Sequence, residues 1–115
     1  MIRVINKYKE SKKEGEVGIN ITRGTPLGNP FIMQDNSDAE RDRVCDQYRA
    51  WISEKYKDET SEQHKEMERI VGILLKGHNV ALICCCKPKR CHGDVVLVGL
   101  KNLIKVELKN LINTL

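Results

Sequence analysis

The segment between positions 84 and 94 holds the side chains of this chain best suited to chemistry. Four of the five cysteines lie there, with one of the three histidines and three basic residues. A thiol at the amino end of a helix, beside cationic side chains, has a depressed pKa and is nucleophilic. An enzyme with Cys91 as nucleophile, and with His92 and Asp94 in acid–base roles, is therefore one interpretation.

The same segment also suits anion binding. The backbone N–H groups of Cys91, His92 and Gly93 would open a helix, where they lack intrahelical partners and attract phosphate. The thiol of Cys86 and the nearby cations would form the rest of the anion-binding surface in this segment. The predicted ligand-binding residues here are Cys86, Lys87, Lys89, Arg90, Cys91, His92 and Gly93.

A zinc site is a third interpretation. Cys84, Cys86, Cys91 and His92 form a C-x-C-x4-C-H pattern, and three thiolates with an imidazole are a chemically valid zinc set. The spacing is not that of a common zinc module, so no cofactor is the main expectation and zinc the alternative. The isolated Cys45, His64 and His78 are interpreted as structural.

A second motif, the loop from Arg23 to Phe31, contains two glycines and two prolines. The glycines allow a close backbone approach to a ligand, and the arginine fork suits phosphate or carboxylate. An amide such as Asn29 can read a base edge or a sugar hydroxyl. The predicted ligand-binding residues here are Arg23, Gly24, Thr25, Gly28, Asn29 and Phe31. A structural turn with Arg23 paired to an acid is the alternative.

Three strands and three helices are predicted to position these motifs. The strands are Ile2–Tyr8, a period-2 segment over 17–22, and the apolar run Val80–Cys86, which is too uniformly apolar for an edge. Capping boxes, Ser37 with Glu40 and Thr60 with Gln63, predict the starts of two amphipathic helices, the second of which ends at Gly77. The third helix starts near His92.

This order, β-β-α-α-β-α, predicts a small α/β fold. We expect a single Rossmann-like domain over residues 1–115, with a sheet of about three strands and three helices in two or three layers. Ligands of such sheets bind at the carboxyl ends of the strands. Both motifs directly follow a predicted strand, so we expect them to meet there.

Composition narrows the class of protein. The net charge is +4, from 20 basic and 16 acidic residues, and aromatic residues make up 4% of the chain, so nucleic-acid binding is not favoured. No apolar run has the length of about 20 residues that a membrane helix needs. An odd cysteine count with three contiguous thiols suits a reducing compartment, so a cytoplasmic location is expected.

The last helix is predicted to mediate self-association. Its apolar stripe of Leu97, Leu100, Ile104, Leu108 and Leu111 continues further than a domain of this size needs. A homodimer or higher homo-oligomer is therefore expected, with positions 104–115 in or near the interface. A core helix with an apolar end is the alternative.

Together, the two motifs resemble the domain-of-unknown-function family 4326, small proteins of bacteria, phages and some eukaryotes. The resemblance covers roughly positions 17–103. It rests on R-G-T-P-L-G-N-P-F and on C-x-P-x-x-C-H-G-D, with Arg23, Gly24, Gly28, Asn29, Pro30 and Phe31, then Cys84, Cys86, Pro88, Cys91, His92 and Asp94 at matching positions. Cys85 stands where many relatives have an aromatic residue. The resemblance implies a shared site and names no activity.

Three functions follow from these patterns. The first is a protein that binds a nucleotide or phosphorylated sugar between the two motifs, for example a phage-type protein that sequesters a nucleotide signal of host defence. The second is an enzyme, of hydrolase or glycosidase type, that acts on a nucleotide or an ADP-ribose-like substrate with Cys91, His92 or Asp94. The third is a zinc-stabilised interaction protein.

Overall fold

The fold is built on a three-stranded parallel sheet. The computed structural model of the chain describes residues 1–86 and 89–115. Strands β1 (Ile2–Asn6), β2 (Glu16–Asn20) and β3 (Asn79–Cys84) are arranged in the order β1-β3-β2. Both outer strands pair in parallel with β3, so the predicted central, buried strand is confirmed.

Each strand is shorter at its carboxyl end than predicted, and in β1 and β2 an asparagine explains why. The Asn6 carboxamide oxygen accepts the backbone N–H of Tyr8 at 2.8 Å, and that of Asn20 accepts the N–H of Thr22 at 2.9 Å. Such turns divert the backbone from the ladder. As a result, two loops leave the same edge of the sheet on either side of β3.

The three helices are α1 (Asp38–Lys57), α2 (Glu62–Leu75) and α3 (His92–Asn113). Ser37 caps α1 as predicted, because its hydroxyl accepts the Glu40 N–H at 3.2 Å. The chain order β-β-α-α-β-α is confirmed.

The second predicted capping box is wrong by one residue. Ser61 is the N-cap of α2 and accepts the N–H of His64 at 3.0 Å. The hydroxyl of Thr60 instead donates to the Asp58 carboxylate at 2.6 Å. Gly77 follows the helix with a positive φ of 92°, the backbone conformation that ends helices and favours glycine.

The helices form one layer. They contact one another, while α2 and α3 also contact the sheet, so the contacts favour the two-layer version of the predicted fold. Apolar side chains from both layers form the core, including Ile19, Ile21, Tyr48, Ile70, Val80, Leu82, Val96 and Leu100. The core therefore lies between the sheet and the helices, and it runs from Val80 at the amino end of β3 to Cys84 at the end where the two motifs emerge.

The carboxyl-terminal half of α3 extends beyond this core. Leu100 is fully buried, whereas Val106, Leu108, Leu111 and Ile112 are exposed. Among the described residues, no helix has the length and apolar content needed to cross a membrane.

Candidate functional site

The two sequence motifs meet at the carboxyl edge of the sheet, as predicted, and enclose a cleft of about 100 Å³. The loop after β2, the start of α1 and the turn before α3 all contribute to its wall. Predicted site residues in the lining are Arg23, Asn29, Phe31, Cys86, Arg90, Cys91 and His92. Thr22, Met33, Arg41, Val44, Cys45 and Cys85 complete it, none of which was predicted as a ligand-binding residue.

Several residues predicted to bind ligand shape the loop instead of lining the cleft. The Thr25 hydroxyl donates to the Thr22 carbonyl at 2.7 Å, and the Gly28 N–H donates to the Thr25 carbonyl at 3.0 Å. Gly24 has a positive φ of 93°. These contacts fold the loop tightly, so its glycines serve backbone geometry.

The predicted role of Asn29 in reading a base or sugar is not favoured. Its amide donates to the Val44 carbonyl at 3.2 Å, and its carbonyl oxygen accepts the N–H of Phe31 at 2.9 Å. The ring of Phe31 in turn packs edge-on against Trp51, with 6.3 Å between centroids. Asn29 thus ties the loop to α1 while lining the cleft.

Two of the three backbone N–H groups predicted to bind an anion at the start of α3 already have partners. Cys91 is the N-cap, and its thiol accepts the Gly93 N–H at 3.1 Å. The Asp94 carboxylate accepts the Cys91 N–H at 3.4 Å. This capping box already satisfies those donors, and a carboxylate stands where an anion would have to bind. Asp94 therefore has a structural role, which argues against its predicted catalytic one.

His92 connects α3 to the end of β2. Its Nε2 lies 2.6 Å from the Ile21 carbonyl, so this nitrogen carries the proton and donates. The ring is buried and packs edge-on against Tyr48, with 5.1 Å between centroids. Burial lowers the pKa of His92, so the neutral imidazole is favoured.

Three thiols lie close together at the carboxyl end of β3 and the start of α3. The Cys91 thiol interacts with those of Cys84 and Cys86, and Cys86 and Cys91 both line the cleft. The bond from Cys91, assisted by the nearby Arg41 guanidinium, lowers the pKa of Cys86 to about 6, although burial opposes this shift. The pKa of Cys91 is raised, because it is hydrogen-bonded to Cys84 and Cys86 and is buried. These shifts favour the thiolate at Cys86 rather than at Cys91, the thiol that the sequence pattern predicts to be activated.

We expect Cys86 to be alkylated rapidly by iodoacetamide at neutral pH. Because its pKa is lowered, the reactive thiolate forms as pH rises through about 6, and the rate should level off near pH 7. The measurement is peptide mapping over pH 5–9 in a Cys85→Ser background, which separates the adjacent thiols.

Cys45, whose pKa is raised by burial, serves as the internal comparison. A Cys86 rate that keeps rising up to pH 9, or faster alkylation of Cys91, would contradict this assignment.

The basic residues of the segment between positions 84 and 94 differ in their surroundings. The Arg90 guanidinium bridges Asp42 and Asp46 on α1, at 2.9 Å each, so its charge is already neutralised. Lys89 is exposed and lines an adjoining cleft rather than the small one. Lys87 lies outside the described residues.

The cation predicted from the second motif, Arg23, is exposed, and its guanidinium donates to the Phe31 carbonyl at 3.4 Å.

Arg41, on the first turns of α1, is the functional candidate that sequence reasoning missed. It lines the cleft beside Cys86, and its Nε is buried without a hydrogen-bond partner among the described residues. A buried guanidinium N–H without an acceptor is costly. In the sequence, Arg41 lies within the charged run E-R-D-R, and nothing there distinguishes it from a surface arginine.

A larger cleft of about 570 Å³ adjoins the small one. The two share Met33, Arg41, Cys85 and Cys86. The larger cleft adds Asn6 at the end of β1, Tyr8 and Lys9 in the loop that follows, and Lys89. The clefts therefore form one continuous depression across the end of β3, and the β1 loop belongs to the site although no motif marks it.

The predicted zinc set does not assemble. Across residues 1–86 and 89–115, no group of three or more Cys, His, Asp or Glu side chains is arranged to hold a metal ion. The His92 Nε2 is engaged by Ile21, and the Cys91 thiol accepts from Gly93. His64, interpreted as structural, stacks on Tyr56 and bonds to its carbonyl at 2.7 Å.

Comparison with known proteins identifies relatives without an assigned activity. The sequence model of the family described as "Domain of unknown function (DUF4326)" matches residues 4–102. An uncharacterised 12.4 kDa protein of Enterobacteria phage T4, from the nrdA–td intergenic region, is 30% identical over 105 residues, covering 91% of this chain and 82% of the relative. No solved structure matches the chain.

Proposed function

The chain belongs to the DUF4326 family, and from this premise we propose that it binds a phosphate-bearing small molecule, a nucleotide or a phosphorylated sugar, in the depression at the carboxyl edge of the sheet. The phosphate occupies the small cleft between the Arg23–Phe31 loop and the turn before α3. The remainder of the ligand lies in the adjoining larger cleft.

The observation that carries this proposal is the position of Arg41, a partly buried cation in the wall of the cleft that also contains Arg23. Its Nε is buried and lacks an acceptor among the described residues. The amides at the start of α3 are used by the capping box, so Arg41 supplies the donor that those amides do not. A phosphate oxygen is the acceptor that arginine binds best.

The larger cleft supports a ligand bigger than inorganic phosphate. Its volume of about 570 Å³ is within the range typical of small-molecule sites. Tyr8 is exposed at its wall and offers a ring face to a base or sugar, while Lys9 and Lys89 offer charge to a second phosphate.

The biological setting is also part of the proposal. A phage relative fits the hypothesis that the protein sequesters a nucleotide signal of host defence. Five cysteines, all without disulfide partners, fit the expected cytoplasmic location.

Replacing Arg41 should abolish most ligand affinity. A hydrogen bond to a charged group contributes about 1.5–3 kcal/mol, so Arg41→Gln should weaken binding about ten- to hundredfold. Native mass spectrometry of the purified protein, followed by calorimetry with inorganic phosphate, nucleoside mono- and diphosphates and ADP-ribose, identifies the ligand and measures the loss.

Arg49→Gln is the matched control, because Arg49 lies on the same helix and lines a groove away from this site. Its affinity should equal that of the parent protein. Equal affinity for Arg41→Gln and parent, or no binding by the parent protein to any of these ligands, would overturn the proposal.

An enzyme acting on the same ligand class is the second candidate, and the Cys86 thiolate beside Arg41 favours it. In this version Cys86 is the nucleophile, rather than Cys91, and the substrate is a nucleotide or ADP-ribose-like molecule. Mass spectrometry of the ligand after incubation separates the candidates, since a binding protein returns it intact. Conversion that persists in Cys86→Ser would contradict the assignment of Cys86 as the nucleophile, and an intact ligand with the parent protein would contradict the enzyme version.

We also expect a homodimer formed through the end of α3. Leu108, Leu111 and Ile112 are about half exposed or more on a helix that leaves the core, and exposed apolar clusters mark interaction surfaces. Light scattering of the parent protein and of Leu108→Glu and Leu111→Glu tests this. The variants should be monomeric, whereas a parent protein that already elutes at 13.2 kDa would contradict the dimer.

A further inference from the structure

The site has a second chemical property that phosphate binding does not require, which is its concentration of thiols. Cys45, Cys85, Cys86 and Cys91 all line the small cleft, and Cys84 is in contact with Cys91 beneath it. The five cysteines thus gather at one end of the sheet although they come from three segments of the chain. This arrangement points to a function for the sulfur atoms themselves.

Two of these thiols are placed as a reactive pair. Cys86 is half-buried and lines both clefts, so a small molecule can reach it from either side. Cys91 is 2% exposed and lines the same small cleft, where its thiol interacts with that of Cys86. We propose that Cys86 and Cys91 form a reversible intramolecular disulfide by exchange with a small-molecule disulfide such as glutathione disulfide.

The exchange takes place in two balanced steps. The Cys86 thiolate attacks one sulfur of the small disulfide, an S–S bond forms to the protein, and the first small thiolate leaves. Cys91 then loses its proton and attacks the Cys86 sulfur, which expels the second small thiolate. Two protein thiols are oxidised, one disulfide is reduced to two thiols, and the Cys91 proton passes to a departing thiolate.

Access and charge together select this pair among the five cysteines. Cys84 also interacts with Cys91 but is fully buried, so an external disulfide does not reach it first. Cys85 is exposed, but desolvation and the neighbouring Cys86 raise its pKa, which makes it the weaker nucleophile. Cys45 is buried on α1. The lowered pKa of Cys86 supports its role as the attacking group, because the thiolate is the reactive form.

Incubating the reduced full-length protein with glutathione disulfide tests the proposal. The parent protein should lose two thiols by thiol titration without retaining glutathione, and peptide mapping should find the 86–91 cross-link. Dithiothreitol should restore both thiols. Phosphate or nucleotide binding is not needed for this result, so it can succeed or fail independently of the proposed function.

Single serine variants identify the order of events. Cys91→Ser should accumulate a mixed disulfide with glutathione at Cys86, because no second thiol resolves it. Cys86→Ser should react at least tenfold more slowly than the parent protein. Cys45→Ser and Cys85→Ser, the matched controls, should form the same cross-link as the parent.

The proposal is wrong if the parent protein keeps glutathione as a stable adduct, or if its cross-link joins another pair. It is equally wrong if Cys86→Ser reacts as fast as the parent. Circular dichroism of the reduced variants separates these outcomes from misfolding. If Cys91→Ser loses its cap and unfolds, the mapped cross-link of the parent protein still decides the question.

Discussion

Gly28→Ala should be among the most destabilising single-methyl additions to this chain and should eliminate the candidate site. A Cβ at position 28 would collide with the Thr22 carbonyl oxygen and lie 3.0 Å from the Arg23 Cα. Both contacts are with backbone, which cannot rotate away as a side chain can. We expect a loss of about 3 kcal/mol in the free energy of unfolding. The loop that holds Arg23 against the cleft would have to open.

Gly72→Ala is the matched control for this variant. Gly72 lies inside α2, and a Cβ there would meet no atom within 4 Å. Alanine in a helix interior should stabilise the protein by about 0.5–1 kcal/mol. Chemical denaturation of both variants measures the two effects. Equal stability of Gly28→Ala and the parent would show that the loop is not held as tightly as its geometry indicates.

His92 should make the stability of the protein depend on pH. Its pKa in the folded state is lowered by burial, with Arg23 acting in the same direction, while the Ile21 carbonyl and Asp94 oppose the shift. In the unfolded chain, histidine titrates near its ordinary value of about 6.5. As pH falls below that value, the unfolded state therefore takes up the proton first. The free energy of unfolding should decrease as pH falls below about 6.5.

Two variants separate the contributions of His92. His92→Gln keeps a donor for the Ile21 carbonyl but does not titrate, so stability should depend less on pH between 7 and 5. His92→Ala leaves that carbonyl without its partner, which should cost about 1–3 kcal/mol at pH 7, in addition to the lost packing on Tyr48. Identical pH profiles for the parent protein and His92→Gln would contradict the buried, neutral imidazole.

Local patterns were sufficient to predict the elements. The cap at Ser37 and the glycine at position 77 each act over a few neighbouring residues and are found where predicted, and the apolar run predicted over Val80–Cys86 forms a strand that ends two residues earlier, at Cys84. The strand ends were harder to predict, because carboxamides of Asn6 and Asn20 compete with the ladder for backbone donors. The sequence shows the asparagines without showing which partner they take.

The sequence by itself determined the parallel α/β order and the meeting of two motifs at one edge of the sheet. Strand periodicity, helix caps and chain order specify these features. The carboxyl ends of parallel strands lie at the same edge of the sheet, whatever path the connecting loops take. The cysteine, arginine and histidine side chains that follow these strands are therefore predicted from the sequence alone to share one site.

Only the tertiary structure decided which of those groups are available to bind a ligand and which are already bonded within the protein. Asp94 occupies the helix amides, Arg90 is paired by α1, and Asn29 ties its loop to Val44. Arg41, on a helix outside the two predicted site motifs, lines the cleft instead, and the interaction with Cys91 lowers the pKa of Cys86. Hydrogen bonds and ion pairs depend on distances between segments far apart in the chain, and local patterns do not contain those distances.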